Sequence, residues 1–236
     1  MPHCTGFRAA PFCGDRSDAT VRPLMREVQM SRSIDYYFSV VSPWAYIGHA
    51  TFMELTRRHD VSVNFKPVAL GAVFPQTGGL PLAKRAPARQ RYRLIELQRW
   101  RDKRGVRLNL HPKHWPFDAA AADCLVIAIA QSGADPDQFL RNAFPGVWAD
   151  ERNLADEATL VALADAVGLP GAELLARSKT DAVKAAYQRN VEDALKIDAF
   201  GSPCYVLNGE VFWGQDRIEL LGEALSSGRP PYRHDV

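Results

Sequence analysis

The feature that most constrains the fold of this sequence is a change of hydrophobic period at Ser42-Pro43. Over residues 33–40 apolar side chains alternate with others, as in a β-strand, and from Pro43 onward they recur every third or fourth residue, as in a helix. Serine is a preferred helix N-cap because its oxygen accepts a free backbone N–H, and proline is a preferred first helical residue. The stretch therefore predicts a strand that leads through a short turn into the N-terminus of a helix.

The rest of the chain extends this junction into a mixed α/β order. Residues 61–70 are typical of a second strand, and the Gly- and Pro-rich residues 71–87 predict a loop. A helical pattern over 118–197 is followed by two short apolar strands around the turn dipeptide Asn208-Gly209 and by a last helix. This order predicts a thioredoxin-like α/β fold with an all-helical insertion.

The predicted layout divides the chain into three parts. Residues 31–75 and 198–228 form the thioredoxin-like domain, and residues 76–197 form the helical insertion domain. Residues 1–30 are interpreted as a disordered leader, because they contain scattered prolines and charges but no hydrophobic segment of a secretory signal. Met30 directly precedes the first strand, so a start at either Met1 or Met30 remains open.

Charge and cysteine content narrow the possible partners. A formal net charge of +2 gives no electrostatic reason to expect nucleic acid or an anionic membrane surface, and no apolar run is long enough for a transmembrane helix. The four cysteines have no Cys-x-x-Cys spacing and no zinc-type histidine pair, which favours a reducing cytoplasmic compartment without a metal site. The most basic segment, 84–104, is interpreted as a solvated helix face, with a local patch for an anionic substrate as the alternative.

Ser42 is the first candidate functional residue. The positive end of a helix dipole favours an anion, which in a Cys-x-x-Cys protein is a cysteine thiolate. Here Ser42 and Ala45 occupy the two sulfur positions, so a thiolate must come from a bound thiol such as glutathione. In that interpretation the Ser42 hydroxyl donates a hydrogen bond to the thiolate; in the alternative it only caps the helix.

Two motifs near the C-terminus fit an extended peptide ligand such as glutathione. Pro203 enters a strand, which makes Ser202-Pro203 a candidate cis peptide whose preceding residue offers backbone N–H and C=O groups to the ligand. The run 213–216 leads into the last helix, where Gln215 and Asp216 are candidates for contacts with the amino end of a γ-glutamyl group. The alternative for Asp216 is the N-cap of the final helix.

Taken together, these segments resemble one known family. The segments DYYFSVVSPWAY, ELQRW and GSPCYVLNGEVFWGQDR occur in the order and spacing of 2-hydroxychromene-2-carboxylate isomerases, over about residues 33–226. Those enzymes belong with the kappa-class glutathione transferases and the DsbA-like branch of the thioredoxin fold. The resemblance implies a homodimeric, glutathione-dependent isomerase in aromatic hydrocarbon degradation. It also implies reversible addition of the glutathione thiolate to an aromatic acid, rotation about the former double bond, and elimination.

The same resemblance implies the residues of the site. Its glutathione contacts fall on seven positions of this chain: Ser42, Ser202, Pro203, Trp213, Gly214, Gln215 and Asp216. Ser42 is the implied catalytic residue, and Lys84 and Trp115 are the implied substrate contacts. The family commonly carries a lysine in the loop after the second strand, where this chain has Phe74-Pro75. A cation for the substrate carboxylate is therefore missing at that place.

Two other functions remain compatible with the sequence. A kappa-type transferase would conjugate glutathione to an electrophile, and its product would retain the tripeptide. A non-catalytic glutathione-binding module would bind the tripeptide without turnover. A disulfide oxidoreductase is disfavoured because Ala45 removes the resolving sulfur.

Overall fold

A computed structural model describes residues 32–234 of the chain, and the predicted leader lies outside them. The strands in this part are β1 (Ser33–Phe38), β2 (Ser62–Pro67), β3 (Cys204–Leu207) and β4 (Glu210–Trp213). The α-helices are α1 (Pro43–Arg58), α2 (Leu70–Thr77), α3 (Pro87–Arg104), α4 (Ala120–Gln131), α5 (Pro136–Trp148), α6 (Glu157–Asp165), α7 (Gly171–Ser178), α8 (Asp181–Lys196) and α9 (Ile218–Ser227). Short 3-10 helices span Leu82–Lys84 and Gln215–Arg217.

The described strands form one mixed sheet in the order β2-β1-β3-β4. β1 and β2 are parallel, as expected when a helix connects them, and β3 runs antiparallel to both β1 and β4. Asn208 and Gly209 join β3 to β4 with φ angles of 53° and 84°, the positive values that a two-residue hairpin turn requires. The predicted thioredoxin-like α/β fold with a helical insertion is confirmed.

Helices cover both faces of the sheet. On one face Tyr36 and Phe38 are fully buried in an apolar cluster that continues from α1 into α4–α7. On the other face Tyr37 packs in a second cluster with Val73 of α2 and Val191 of α8. Burying one such side chain contributes about 1.5–3 kcal/mol, so the sheet and the inserted helices stabilise each other through a shared core. The domain boundaries at 31–75, 76–197 and 198–228 stay a prediction, and the boundary after residue 75 lies inside α2.

The loop predicted over residues 71–87 is partly wrong, because α2 occupies Leu70–Thr77. Gly71 and Pro75 suggest irregular structure locally, and Pro75 lies inside the helix. Val73 is nevertheless fully buried against the second cluster, and Gly78 ends the helix with a φ of 75°. Tertiary packing of one apolar side chain therefore overrides the local propensity of this segment.

Candidate functional site

The N-terminus of α1 has the geometry that its sequence predicts. Ser42 is the N-cap, and its Oγ accepts a hydrogen bond from the Ala45 N–H at 3.3 Å. The same hydroxyl donates to the carbonyl oxygen of Ser202 at 3.0 Å. The first turn of α1 holds no acidic side chain, so no carboxylate of its own neutralises the positive end of the helix. The capping role of Ser42 is confirmed, and its catalytic role stays a prediction.

The Ser202-Pro203 peptide is cis and lies directly against Ser42. Ser202 Oγ accepts a hydrogen bond from the Ser39 N–H at 3.1 Å, which ties this loop to the turn after β1. Among residues 32–234, the Ser202 N–H donates to no acceptor, and the Ser202 carbonyl accepts only from Ser42. The backbone N–H and C=O of Ser202 therefore have one partner between them, the Ser42 side chain, and are bonded by no neighbouring strand.

The end of the hairpin closes over this loop. The Gly214 N–H donates to the Pro203 carbonyl at 2.9 Å. The indole of Trp213 packs so closely over Gly201 that a Cβ on this glycine would collide with Trp213 Nε1. Trp213 is 53% exposed, so much of its indole still faces solvent. Of the predicted glutathione contacts, Ser42, Ser202, Pro203, Trp213 and Gly214 thus come together around one cis peptide.

Gln215 and Asp216 have other environments. Gln215 is buried, and its Oε1 and backbone carbonyl accept hydrogen bonds from the Arg104 guanidinium, both at 3.2 Å. Asp216 forms an ion pair with Arg217. Asp216 does not cap α9, whose N-cap is Arg217, so the N-cap alternative for Asp216 is wrong. Their predicted glutathione contacts stay predictions, and Gln215 already has a partner in Arg104.

Gly214→Ala is expected to destabilise the protein by about 1–2 kcal/mol, because few L-residues adopt a φ of 101°. A Cβ at this position would also collide with Asp216 Oδ1. The free energy of unfolding in urea measures the effect. Gly71→Ala is the matched control, since Gly71 lies in α2 with an open space around its missing Cβ. Equal stability of the two variants would contradict the strain at Gly214.

A buried carboxylate supports the turn that precedes Ser42. Asp123 of α4 is fully buried, and its oxygens accept hydrogen bonds from Ser39 Oγ at 2.8 Å, the Val40 N–H at 3.0 Å and Tyr187 Oη at 3.0 Å. Burial raises the pKa of this carboxyl to about 7, although the three donors favour its charged form. Ser39 also donates its N–H to Ser202 Oγ, so a continuous hydrogen-bonded chain connects Asp123 to Ser42.

Sequence reasoning did not identify Asp123 as a site residue. Its only signal is a single acidic side chain inside the apolar helix AAADCLVIAIA. A carboxylate in such a run is almost never fully buried without partners. The pattern therefore predicts donors from elsewhere in the chain, but it does not say that they come from the turn next to Ser42.

The predicted substrate residues Lys84 and Trp115 lie in different settings. Trp115 is half-buried, and its Nε1 donates to the Val41 carbonyl at 3.1 Å, next to Ser42. Lys84 is exposed at the end of a 3-10 helix, and its side chain makes no hydrogen bond or ion pair with the part of the chain that is described. The substrate contacts assigned to both residues stay predictions.

The interpretation of the basic segment as a solvated face is wrong for one arginine. Arg93 of α3 is only 9% exposed, and its guanidinium carbon lies 5.1 Å from the centre of the Trp115 ring. Arg93 precedes the buried Leu97 by one helical turn, so both lie on the inner side of α3. This spacing was the available signal. It was obscured by the many arginines around it.

No thiol of the described part of the chain is suited to redox chemistry. Cys204 and Cys124 are both buried, and burial raises the pKa of their thiols to about 12 and about 11. Residues 32–234 also contain no cluster of His, Cys, Asp and Glu side chains that would hold a metal ion. None of their helices combines the length and the apolar character needed to cross a membrane. A cleft of about 830 Å³ beside β2 contains none of the predicted site residues.

Comparisons with known proteins agree with the fold and with the resemblance stated from the sequence. Over 194 residues the chain is 25% identical to 2-hydroxychromene-2-carboxylate isomerase of Sphingobium xenophagum. The alignment covers 81% of this chain and 97% of that relative. It is also 25% identical over 209 residues to glutathione S-transferase kappa 1 of Caenorhabditis elegans. This alignment covers 84% of this chain and 92% of that relative.

Structural and family comparisons lead to the same group. A solved structure of 2-hydroxychromene-2-carboxylate isomerase aligns with a TM-score of 0.72 at 21% identity, over 83% of this chain and 95% of that chain. At this identity the likeness shows the fold alone. The DSBA-like thioredoxin domain matches residues 33–226, which is most of the sequence. The chain therefore belongs to the family of DSBA-like thioredoxin domains.

Proposed function

We propose that this protein is a glutathione-dependent isomerase of 2-hydroxychromene-2-carboxylate or of a related conjugated aromatic acid. The observation that carries the proposal is the Ser42 hydroxyl, which stands at a helix N-terminus 3.0 Å from the Ser202 carbonyl, where a redox protein would carry a thiol. The names of two relatives, a 2-hydroxychromene-2-carboxylate isomerase and a kappa glutathione transferase, support the same pairing of substrate and cofactor.

The backbone around Ser42 fits an extended tripeptide. Within residues 32–234, the Ser202 N–H has no acceptor, and the Ser202 carbonyl accepts a hydrogen bond only from Ser42 Oγ. Such an edge accepts a peptide by strand addition. A ligand N–H can donate to the Ser202 carbonyl beside the Ser42 hydroxyl or in its place, because a carbonyl oxygen has two lone pairs. When the ligand N–H takes its place, the Ser42 hydroxyl can donate to a thiolate without leaving the carbonyl unpaired, so peptide binding would favour thiolate stabilisation.

The chemistry divides between the cofactor and the protein. Bound glutathione supplies a thiolate that adds reversibly to the conjugated double bond, permits rotation about it, and is released unchanged. Ser42 stabilises negative charge on the sulfur with one hydrogen bond, and the N-terminus of α1 adds its dipole. Both effects favour the ionised thiol over the neutral one. Ser39 and Asp123 position the turn that carries Ser42.

A kappa-type transferase is the second candidate, and the similarity to the Caenorhabditis elegans enzyme favours it. The two reactions share glutathione activation at Ser42 and differ in the last step. An isomerase eliminates the thiolate, whereas a transferase releases a product that keeps the tripeptide. The homodimer and the cytoplasmic location implied by the resemblance also remain proposals.

The absorbance spectrum of 2-hydroxychromene-2-carboxylate mixed with the protein tests the function. We expect conversion only when glutathione is present, with a product whose mass equals that of the substrate. A product heavier by one glutathione would identify the transferase instead. Absence of conversion by protein that binds glutathione would contradict the isomerase proposal for this acid.

A further inference from the structure

Arg93 is a buried cation without a described counterion. Arginine is almost never buried unless it is paired, because removal of its charge from water is costly. In the part of the chain that the structure describes, no carboxylate or carbonyl oxygen pairs with the Arg93 guanidinium. Glu96, the nearest carboxylate along α3, pairs with Arg99 instead. No described residue therefore neutralises the charge of Arg93.

The surroundings of Arg93 increase its attraction for an anion. Burial and the positive charge of Arg85 lower the pKa of Arg93 to about 10, which still leaves it charged at neutral pH. The face of Trp115 offsets only part of the lost hydration, since a cation–π contact contributes about 0.5–2 kcal/mol. A planar guanidinium presents paired donors that match a carboxylate. The group that would balance this site is a carboxylate ligand.

Arg93 also lies close to the predicted reaction site. Its guanidinium stacks on Trp115, whose Nε1 donates to the Val41 carbonyl, one residue before Ser42. A single indole ring thus separates the guanidinium from the backbone at the N-terminus of α1. The Ser202 loop reaches Ser42 through a separate contact, its carbonyl oxygen. A ligand carboxylate at Arg93 and a peptide paired with Ser202 would therefore use different contacts around the same helix end.

We propose that Arg93, oriented by Trp115, binds the carboxylate of the aromatic acid substrate. This assignment rests on the proposed function and supplies the cation that is missing at Phe74-Pro75. A bidentate pair between a guanidinium and a carboxylate fixes direction as well as charge. The conjugated double bond of the acid is thereby held near the thiolate that Ser42 stabilises. Neutral electrophiles lack this anchor, so Arg93 selects for acids.

Titration calorimetry tests the assignment without turnover, by comparing the affinity for salicylate with that for its neutral amide analogue, salicylamide. We expect the protein to prefer salicylate by about 10-fold or more, and Arg93→Met to remove that preference by lowering salicylate affinity about 10- to 100-fold. Arg91→Met is the matched control, because it removes the same charge from an exposed position of the same helix. It should keep the preference. Arg93→Lys should retain part of it, which also covers the case that Arg93→Met fails to fold.

The affinity for glutathione shows whether the carboxylate that Arg93 binds belongs to the aromatic acid or to the tripeptide. We expect all these variants to bind glutathione as the unchanged protein does. Weaker glutathione binding by Arg93→Met, with the preference for salicylate intact, would assign Arg93 to the tripeptide and overturn the proposal. An unchanged preference for salicylate in Arg93→Met would also overturn it.

Kinetics separate this inference from the proposed function. If the isomerase reaction is present, Arg93→Met should raise KM for the acid about 10- to 100-fold, with a smaller change in kcat. If the reaction is absent but Arg93→Met still abolishes the preference for salicylate, the isomerase proposal fails and the aromatic acid site stands. If the reaction proceeds in Arg93→Met with an unchanged KM, the assignment of Arg93 fails and the isomerase proposal stands.

Discussion

Ser42→Ala is expected to lower kcat for the conjugated acid by about 10- to 1,000-fold, where the upper end corresponds to the loss of a fully preorganised donor to a developing charge. The Ser42 hydroxyl donates to the Ser202 carbonyl and can turn to donate to a thiolate, and a peptide N–H at that carbonyl would compensate the lost bond. Without the hydroxyl, the bound thiol keeps the helix dipole but loses one donor to its charged form. Its pKa should rise, and the pH–rate profile should move to higher pH.

The control for this variant must separate catalysis from helix capping. Ser42 Oγ also accepts the Ala45 N–H, so Ser42→Ala should destabilise α1 by about 1 kcal/mol. Asp156 caps α6 in the same manner through Thr159 and has no contact with the described site residues. Asp156→Ala should show a similar loss of stability with an unchanged kcat. Equal kcat values for Ser42→Ala and Asp156→Ala would reduce Ser42 to a cap.

The parts of this site that were predictable from the sequence depend on local chemistry. The cap at Ser42 and the hairpin at Asn208-Gly209 follow from residues that are adjacent in the chain, and Pro203 makes the preceding bond a candidate for cis without fixing the isomer. Each of these short motifs restricts the backbone to a few conformations, whatever packs around it. The order of strands and helices then fixes the fold, because apolar periodicity shows which faces are buried.

The unpredicted parts depend on contacts between distant segments. Asp123 meets Val40 across 83 positions of the chain, and Trp115 meets Val41 across 74. No local pattern names these partners: Arg93 is hidden among other arginines, whereas Asp123 stands alone in an apolar run that does not reveal its donors. α2 illustrates the same limit. The glycine and proline content of this segment predicts a loop, but the burial of Val73 favours a helix.

Asp123 gives the second large expected effect, a stability that depends on pH. Its pKa of about 7 in the folded protein lies above the value of about 4 in an unfolded chain, so the folded state binds a proton that the unfolded state has released. This contribution to stability is complete below about pH 4 and is lost as the pH rises through about 7. At about 1.4 kcal/mol for each pKa unit, the loss between pH 5 and pH 8 amounts to about 2–3 kcal/mol.

Asp123→Asn should remove this dependence, because an amide keeps the shape but does not titrate. Its oxygen can accept the Val40 N–H, and its NH₂ group can donate to Ser39 Oγ and Tyr187 Oη, hydroxyls that are free to turn. We therefore expect the free energy of unfolding of the unchanged protein, minus that of Asp123→Asn, to fall by about 2–3 kcal/mol from pH 5 to pH 8. Urea unfolding at each pH measures the difference.

Tyr187→Phe provides the complementary variant, since it removes one donor to the charged carboxylate and leaves the other two. The pKa of Asp123 should rise, so the fall in stability, which begins near about pH 4 in both proteins, should continue to a higher pH than in the unchanged protein. A difference between the unchanged protein and Asp123→Asn that stays constant from pH 5 to pH 8 would mean that the three hydrogen bonds outweigh burial. Asp123 would then be a permanently charged support for the turn before Ser42, and Tyr187→Phe would lower stability equally at every pH.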